Sequence, residues 1–115
     1  MREPGSAASV IDAEALSILD GEVLEELIAA FVDETLRGLS FLREAAQAGD
    51  AEVFRWVASG LAENSERLGA PALEDLCRRL CDVGVDELEE LAFALVADLE
   101  QEFDRVRMAL ARFDF

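Results

Sequence analysis

Few residues in this chain are able to carry out chemistry, and histidine is absent from all 115 positions. Without histidine, neither a Ser-His-Asp nor a Cys-His nucleophile can form, and the Glu-x-x-His pattern of helical di-metal sites is excluded. The two cysteines, Cys77 and Cys81, are too few for a zinc site and are poorly placed for a disulfide. We predict free, buried, reduced thiols, and we expect no metal and no cofactor.

Carboxylates are far more numerous, with 26 acidic residues against 10 basic ones and a net charge of −16. Pairs such as Glu25-Glu26 and Glu89-Glu90 fall on the outer faces of predicted helices. Glycoside hydrolysis needs two separated carboxylates across a cleft, which this pattern does not provide. We interpret the pairs as solvated surface and do not expect an enzyme. Such an acidic surface repels phosphate backbones and anionic lipids, so neither nucleic acid nor membrane partners are expected.

The length of the chain is that of one ordinary domain. We expect a flexible N-terminal tail over residues 1–9 and a single domain over residues 10–115. No apolar run of about 18 residues is present, and the first residues do not resemble a secretory signal. The cytoplasm is therefore the expected location, and the sequence leaves the oligomeric state open.

Helical periodicity dominates the chain and nothing alternates like a strand. It predicts helices over 22–48, 51–68, 71–83 and 86–113, preceded by a short helix over 10–19 with Asp12 as N-cap. Gly49 and Gly69 are expected to end two of these helices, and Asp50 is expected to cap the next one. Short connections make successive helices antiparallel. The predicted fold is an all-α, antiparallel four-helix bundle with a short additional N-terminal helix.

The apolar stripes of these helices define the predicted core. Its central members are Leu24, Phe31, Leu61, Leu76, Leu95 and Phe103. Four large apolar residues lie off the stripes and are expected at the surface: Phe41, Trp56, Phe93 and Met108. Trp56 stands out among them because tryptophan is a favoured interface anchor.

The segment from Phe54 to Cys81 resembles the histidine-containing phosphotransfer (HPt) domain of bacterial phosphorelays. That family shows Ala-His-x-Leu-Lys-Gly-Ser-Ser, then a Leu-Gly-Ala turn, then a Leu-Cys-x-x-Leu helix. The matching residues here are Ala58, Leu61, Ser65, Leu68, Gly69, Ala70, Leu73, Leu76, Cys77 and Leu80. The resemblance extends over about residues 10 to 113, and it implies the same HPt-like bundle.

The departures from the family pattern fall on its chemistry. Ser59 stands where the family has its phosphorylated histidine, Ala62 where it has lysine, and Glu63 where it has a small residue. A serine hydroxyl has no base beside it here and would form a stable phosphoester. Glu63 adds negative charge where a phosphoryl group must arrive. The resemblance therefore implies an HPt fold in which Ser59 is a degenerate phosphorylation position.

We predict that the exposed strip of the third helix binds a protein partner, either a receiver domain or a histidine kinase. The residues of this predicted patch are Arg55, Trp56, Ser59, Ala62, Glu63 and Glu66. Two alternatives stay open. The chain could be a structural or oligomerisation bundle unrelated to signalling, using the Phe41 or Phe93 side. It could also be an inactive mutant of a genuine phosphotransfer protein.

Overall fold

The computed structural model describes residues 11–112, which form five helices and no strand. The helices are α1 (Ala13–Ser17), α2 (Gly21–Ala48), α3 (Ala51–Leu68), α4 (Pro71–Leu80) and α5 (Val85–Arg112). The predicted tail over residues 1–9, the start of the short helix at Val10 and the end of the last helix at Phe113 lie outside the described residues. None of the helices in the described range is both long and apolar enough to cross a bilayer.

Four of the helices surround one core as a ring. α2 packs against α3 and α5, and α4 packs against the same two helices, so that α3 and α5 lie diagonally opposite each other. The connections at 49–50, 69–70 and 81–84 are too short to let a helix run parallel to its predecessor. The prediction of an all-α antiparallel four-helix bundle with a short additional N-terminal helix is confirmed.

The helix ends follow the local signals in the sequence. The side chain of Asp50 accepts a hydrogen bond from the Val53 amide at 3.1 Å, and Asp12 caps α1 through the Ala15 amide at 3.1 Å. Gly49 ends α2 with φ of 72° and Gly69 ends α3 with φ of 82°. Both values lie in the left-handed region, where a Cβ is strained. These caps fix the register of α2, α3 and α4.

The α1 segment is attached to the far end of α3. The backbone amide of Asp12 donates a hydrogen bond to the carbonyl of Gly69 at 2.6 Å. A Cβ at Gly69 would lie 2.8 Å from the Cβ of Asp12, so the missing side chain makes room for this contact. The turn between α3 and α4 therefore carries the N-terminal segment as well as joining two helices.

The core is confirmed in most of its central members. Leu24, Phe31, Leu61 and Phe103 are buried, and the rings of Phe31 and Phe103 meet edge to face with centroids 5.8 Å apart. Leu76 and Leu95 are only half-buried, which corrects their prediction as fully buried residues. At 100° per residue, Leu76 lies about 60° from the middle of the buried stripe of α4, so it reaches the core only from its edge. Leu95 lies about 45° from the middle of the α5 stripe.

α4 ends three residues earlier than predicted. After Leu80, the amides of Cys81, Asp82 and Val83 bond to carbonyls three residues back, at 3.1 to 3.3 Å, which closes the helix with a tight turn. Val83 is then buried in the core, and Glu87 accepts a hydrogen bond from the Gly84 amide at 2.9 Å. The Glu87 bond is half of a capping box and places the start of α5.

Candidate functional site

Ser59 lies on the solvent-exposed side of α3. Its neighbours Ala58 and Leu61 are buried in the core, whereas Ser59 and Gly60 are exposed, which agrees with the angular position of about 200° from Val57 and Leu61. Within residues 11–112, no side chain is hydrogen bonded to the Ser59 hydroxyl. The hydroxyl therefore has no adjacent base that could activate it for nucleophilic attack.

Ser59 lies beside an open groove between α2 and α3 with a volume of about 480 Å³. The groove is lined by Glu34, Arg37, Phe41, Trp56, Val57, Ser59, Gly60, Leu61, Glu63 and Asn64. We refer to this surface as the α2–α3 groove. Of the predicted patch, Trp56, Ser59 and Glu63 line it. It therefore unites the predicted strip of α3 with residues of α2 that the sequence did not assign to the patch.

The α2 residues of the groove could have been identified from the register of the helical hairpin that α2 forms with α3. Gly49 and Asp50 join α2 to α3 by a two-residue turn, which pairs residues whose numbers sum to about 99. Two contacts follow this register. Asn64 donates to Glu34 at 2.7 Å, and a Cβ at Gly38 would lie 2.6 Å from a methyl of Leu61. The same rule places Phe41 opposite the Trp56–Val57 turn and Arg37 opposite Leu61.

One end of the α2–α3 groove is aromatic and exposed. Trp56 is 77% exposed and Phe41 is 52% exposed. The predicted exposure of Phe93 and Met108 is also confirmed, but these two lie on α5, diagonally across the bundle from α3. Two aromatic side chains left in solvent within one groove form the kind of surface that anchors a protein partner.

The charges of the groove are unfavourable for a phosphoryl group. Glu34 and Glu63 line it, and the Glu34 carboxylate is held by the neutral amide of Asn64. Arg37 also lines the groove, but its guanidinium is paired with the carboxylate of Asp33. The lining thus contains two acidic residues and one basic residue that already has an acidic partner, which favours cations over anions.

Three residues of the predicted patch are not part of this groove. Ala62 is fully buried, because it shares the inner stripe of α3 with Ala58 and Ser65, so it is not a binding residue. Arg55 is half-buried, and its Nη1 donates to the Val83 carbonyl at 2.9 Å. Its charge is held at the α4–α5 connection, so it does not supply a cation beside Ser59.

Glu66 is exposed, as predicted, but it belongs to another part of the surface. Its carboxylate accepts a hydrogen bond from Arg78 of α4 at 3.4 Å, and Arg78 also pairs with Glu74 at 2.9 Å. The predicted patch is thus divided along α3. Trp56, Ser59 and Glu63 face the side of α2, whereas Glu66 faces the side of α4.

The two cysteines are free, as predicted. Cys77 is buried, but Cys81 is only half-buried, which corrects the expectation that both are fully enclosed. Burial raises the pKa of the Cys77 thiol to about 12, against a smaller opposing effect of the hydrogen bond with Ser65. Burial also raises the pKa of Cys81. Neither thiol is an activated nucleophile, and among the described residues no cluster of metal-ligating side chains is found.

The bundle is similar to a solved phosphotransfer protein. Histidine-containing phosphotransfer protein B from Pseudomonas aeruginosa shares 30% sequence identity with this chain, and the two structures superpose with a TM-score of 0.78. The match covers 90% of this chain and 91% of the other. No protein-family model and no curated protein matches the sequence.

This likeness in both fold and sequence assigns the family. The chain belongs to the histidine-containing phosphotransfer family. Its sequence contains no histidine at all.

Proposed function

We propose that this protein is a phosphotransfer-fold signalling module of a two-component pathway that binds a receiver domain or a sensor kinase in the cytoplasm without carrying phosphate. The observation that carries the proposal is a family member with a complete bundle and no histidine anywhere in its sequence. The fold can be retained for recognition when the chemistry has been lost, because function depends on the site rather than on the fold.

The site supports the loss of phosphotransfer beyond the missing imidazole. Ser59 occupies the position that corresponds to the phosphorylated histidine, and a phosphoserine is a stable ester that would not be passed on. The surrounding charges do not neutralise an arriving phosphoryl group. Glu63 lies one turn away and is exposed, and Arg55 is engaged with the Val83 carbonyl. Each of these features opposes transfer.

The surface supports continued binding. Trp56 and Phe41 remain exposed at one end of the α2–α3 groove, beside Ser59. Burying either aromatic ring against a partner releases a large apolar area from water, which favours association. The protein would then act by occupying the docking surface of its partner.

Binding and phosphorylation should be measured separately to test this proposal. Receiver domains and histidine kinases from the source organism would be titrated against the protein by calorimetry, and the same mixtures would be incubated with radiolabelled phosphodonor. We expect saturable binding by at least one partner and no label on this chain. Phosphate transfer through the chain would refute the proposal, and so would the absence of binding to every receiver and kinase.

A second candidate function is supported by a different observation. Phe93 and Met108 are 52% and 57% exposed on α5, which is the helix diagonally opposite α3. Exposed apolar residues on an outer helix are also found at oligomer interfaces. Under this reading the chain is a structural or oligomerisation bundle. Light scattering across a concentration series would detect self-association, which Phe93→Asp would abolish and Trp56→Ala would not.

A further inference from the structure

Gly60 lies in the middle of α3, where glycine is the least favourable residue except proline. It has ordinary helical geometry, since only Gly49 and Gly69 have positive φ among the described glycines. A Cβ built on Gly60 meets nothing within 4 Å. Gly38 is different, because a Cβ there would lie 2.6 Å from Leu61. Packing within the chain therefore accounts for the glycine at 38 and does not account for the one at 60.

The position of Gly60 in the α2–α3 groove offers a reason. Trp56 lies one turn before it and Asn64 one turn after it on the same face of α3, and all three line the groove. Without a side chain at this point, the helix backbone forms the floor of the groove between an aromatic end and the Asn64–Glu34 hydrogen bond. The missing Cβ leaves room for a group from another molecule.

The charge of the surface indicates what that group is. Glu63 and Glu34 border the groove, and the nearby Arg37 is already paired with Asp33. Arg67 lies beside one end of the groove, where its guanidinium donates to a neutral amide oxygen at 3.1 Å, so the lining itself keeps two acidic residues against one basic residue. The whole chain carries a net charge of −16. A partner with an acidic rim would meet like charges at close range, whereas a basic rim would be attracted both locally and at a distance.

We infer that Gly60 is a docking position for a partner segment that places an apolar side chain over the α3 backbone, against Trp56, and pairs a flanking lysine or arginine with Glu63. The inference rests on the proposed function and deepens it. It selects, among possible receivers and kinases, those whose docking surface is basic around an apolar residue. The affinity for such a partner falls as salt is raised, because the pairs are exposed and screened.

A substitution at Gly60 has opposite effects on folding and on binding. Gly60→Gln replaces a poor helix former in open space, so the melting temperature should rise by about 2–4 °C. The same side chain fills the docking position, and partner affinity should fall at least tenfold. Ala94→Gln is the matched control, because Ala94 is an exposed residue within α5, across the bundle from α3. It should leave partner affinity unchanged.

Two probes separate this inference from the proposed function. One is any receiver or kinase that binds in the titrations described above. The other is a synthetic amphipathic helical peptide with a leucine face flanked by lysines, compared with the same peptide carrying glutamates. We expect the lysine peptide to shift the amide resonances of Trp56, Gly60 and Glu63, and Gly60→Gln to abolish those shifts. The glutamate peptide should produce none.

The outcomes are distinct. If a receiver binds but its affinity is the same for the native chain and for Gly60→Gln, the inference is overturned while the proposed function stands. A different result is that no receiver or kinase binds, but the lysine peptide occupies the groove and its binding is abolished by Gly60→Gln. The proposed function then fails while the inference is supported. Shifts from the lysine peptide that spread evenly over all acidic faces would overturn the inference.

Discussion

Replacing Ser59 by histidine would put an imidazole at the position that the family resemblance assigns to the phosphorylated residue. The site is exposed, so the new ring would be accessible to a partner. We nevertheless expect Ser59→His to accept phosphate only weakly, because the residues around it do not favour negative charge. Glu63 stays one helical turn away, and no lysine is available at position 62, where Ala62 is buried.

The size of this effect follows from the geometry of α3. Residues four apart on a helix have Cβ atoms about 5–6 Å apart, so the Glu63 carboxylate would lie about 7 Å from a phosphoryl group on an imidazole introduced at position 59. Between one negative charge and about two, the repulsion in water is about 1 kcal/mol, and salt reduces it further. That is roughly a fivefold loss in rate or affinity. The missing lysine contributes a loss of similar size.

The assay compares phosphate transfer from a labelled receiver or kinase to three proteins: the native chain, Ser59→His, and Ser59→His combined with Glu63→Gly. A histidine-containing relative serves as the reference. We expect no label on the native chain, a few per cent of the reference rate for the single variant, and about five times more for the double variant. Transfer by Ser59→His at the reference rate would show that the flanking residues do not matter and would refute the electrostatic reasoning.

Three further results are expected. Trp56→Ala should weaken partner binding by about 1–3 kcal/mol in calorimetry without changing the melting temperature, because the ring is 77% exposed; unchanged affinity would place the interface elsewhere. Gly69→Ala should lower the urea-unfolding free energy more than Gly49→Ala does. Both strain a positive φ, by about 1–2 kcal/mol, but only a Cβ at 69 meets Asp12, at 2.8 Å; equal losses would contradict that contact. The fold should lose stability as pH rises from about 9 towards 12. Burial raises the pKa of Cys77 from 9.0 to about 12, so the unfolded chain gives up that proton first. With no lysine or tyrosine in the chain, urea titrations at about pH 8 and pH 10.5 should reveal this loss, and a flat profile would contradict it.

The helices could be predicted from sequence because their ends are marked by local chemistry. Asp50 caps α3 through an amide three residues away, and Gly49 adopts a backbone that other residues avoid, so neither depends on distant contacts. The end of α4 was less predictable. The periodic pattern continues to Val83, but the chain turns after Leu80 so that Val83 can enter the core. That choice depends on tertiary packing, which outweighs local preference.

The candidate site was harder to predict than the fold, because it depends on which way each side chain points and on how far a long side chain extends. Ala62 is three residues from Ser59, and this spacing rotates its side chain by about 60° around the helix axis towards the core. Because the two residues are close in sequence, the prediction placed both on the exposed side. Arg55 has a long side chain, and only the position of the α4–α5 connection decides that its guanidinium meets the Val83 carbonyl. Phe41 was recognised as exposed, but its membership of the α2–α3 groove depends on helix pairing.

The burial of Ala62 has a consequence for the history of this protein. An exposed residue such as Ser59 can change in either direction with little effect on folding. Ala62 has no exposed surface, so a lysine there would have to displace its core neighbours or bury part of its own charged side chain, and either is costly. Under the proposed function, introducing lysine at position 62 would therefore lower folding stability more than introducing histidine at position 59. The loss of activity would then be maintained by packing at position 62 as well as by the absence of the imidazole.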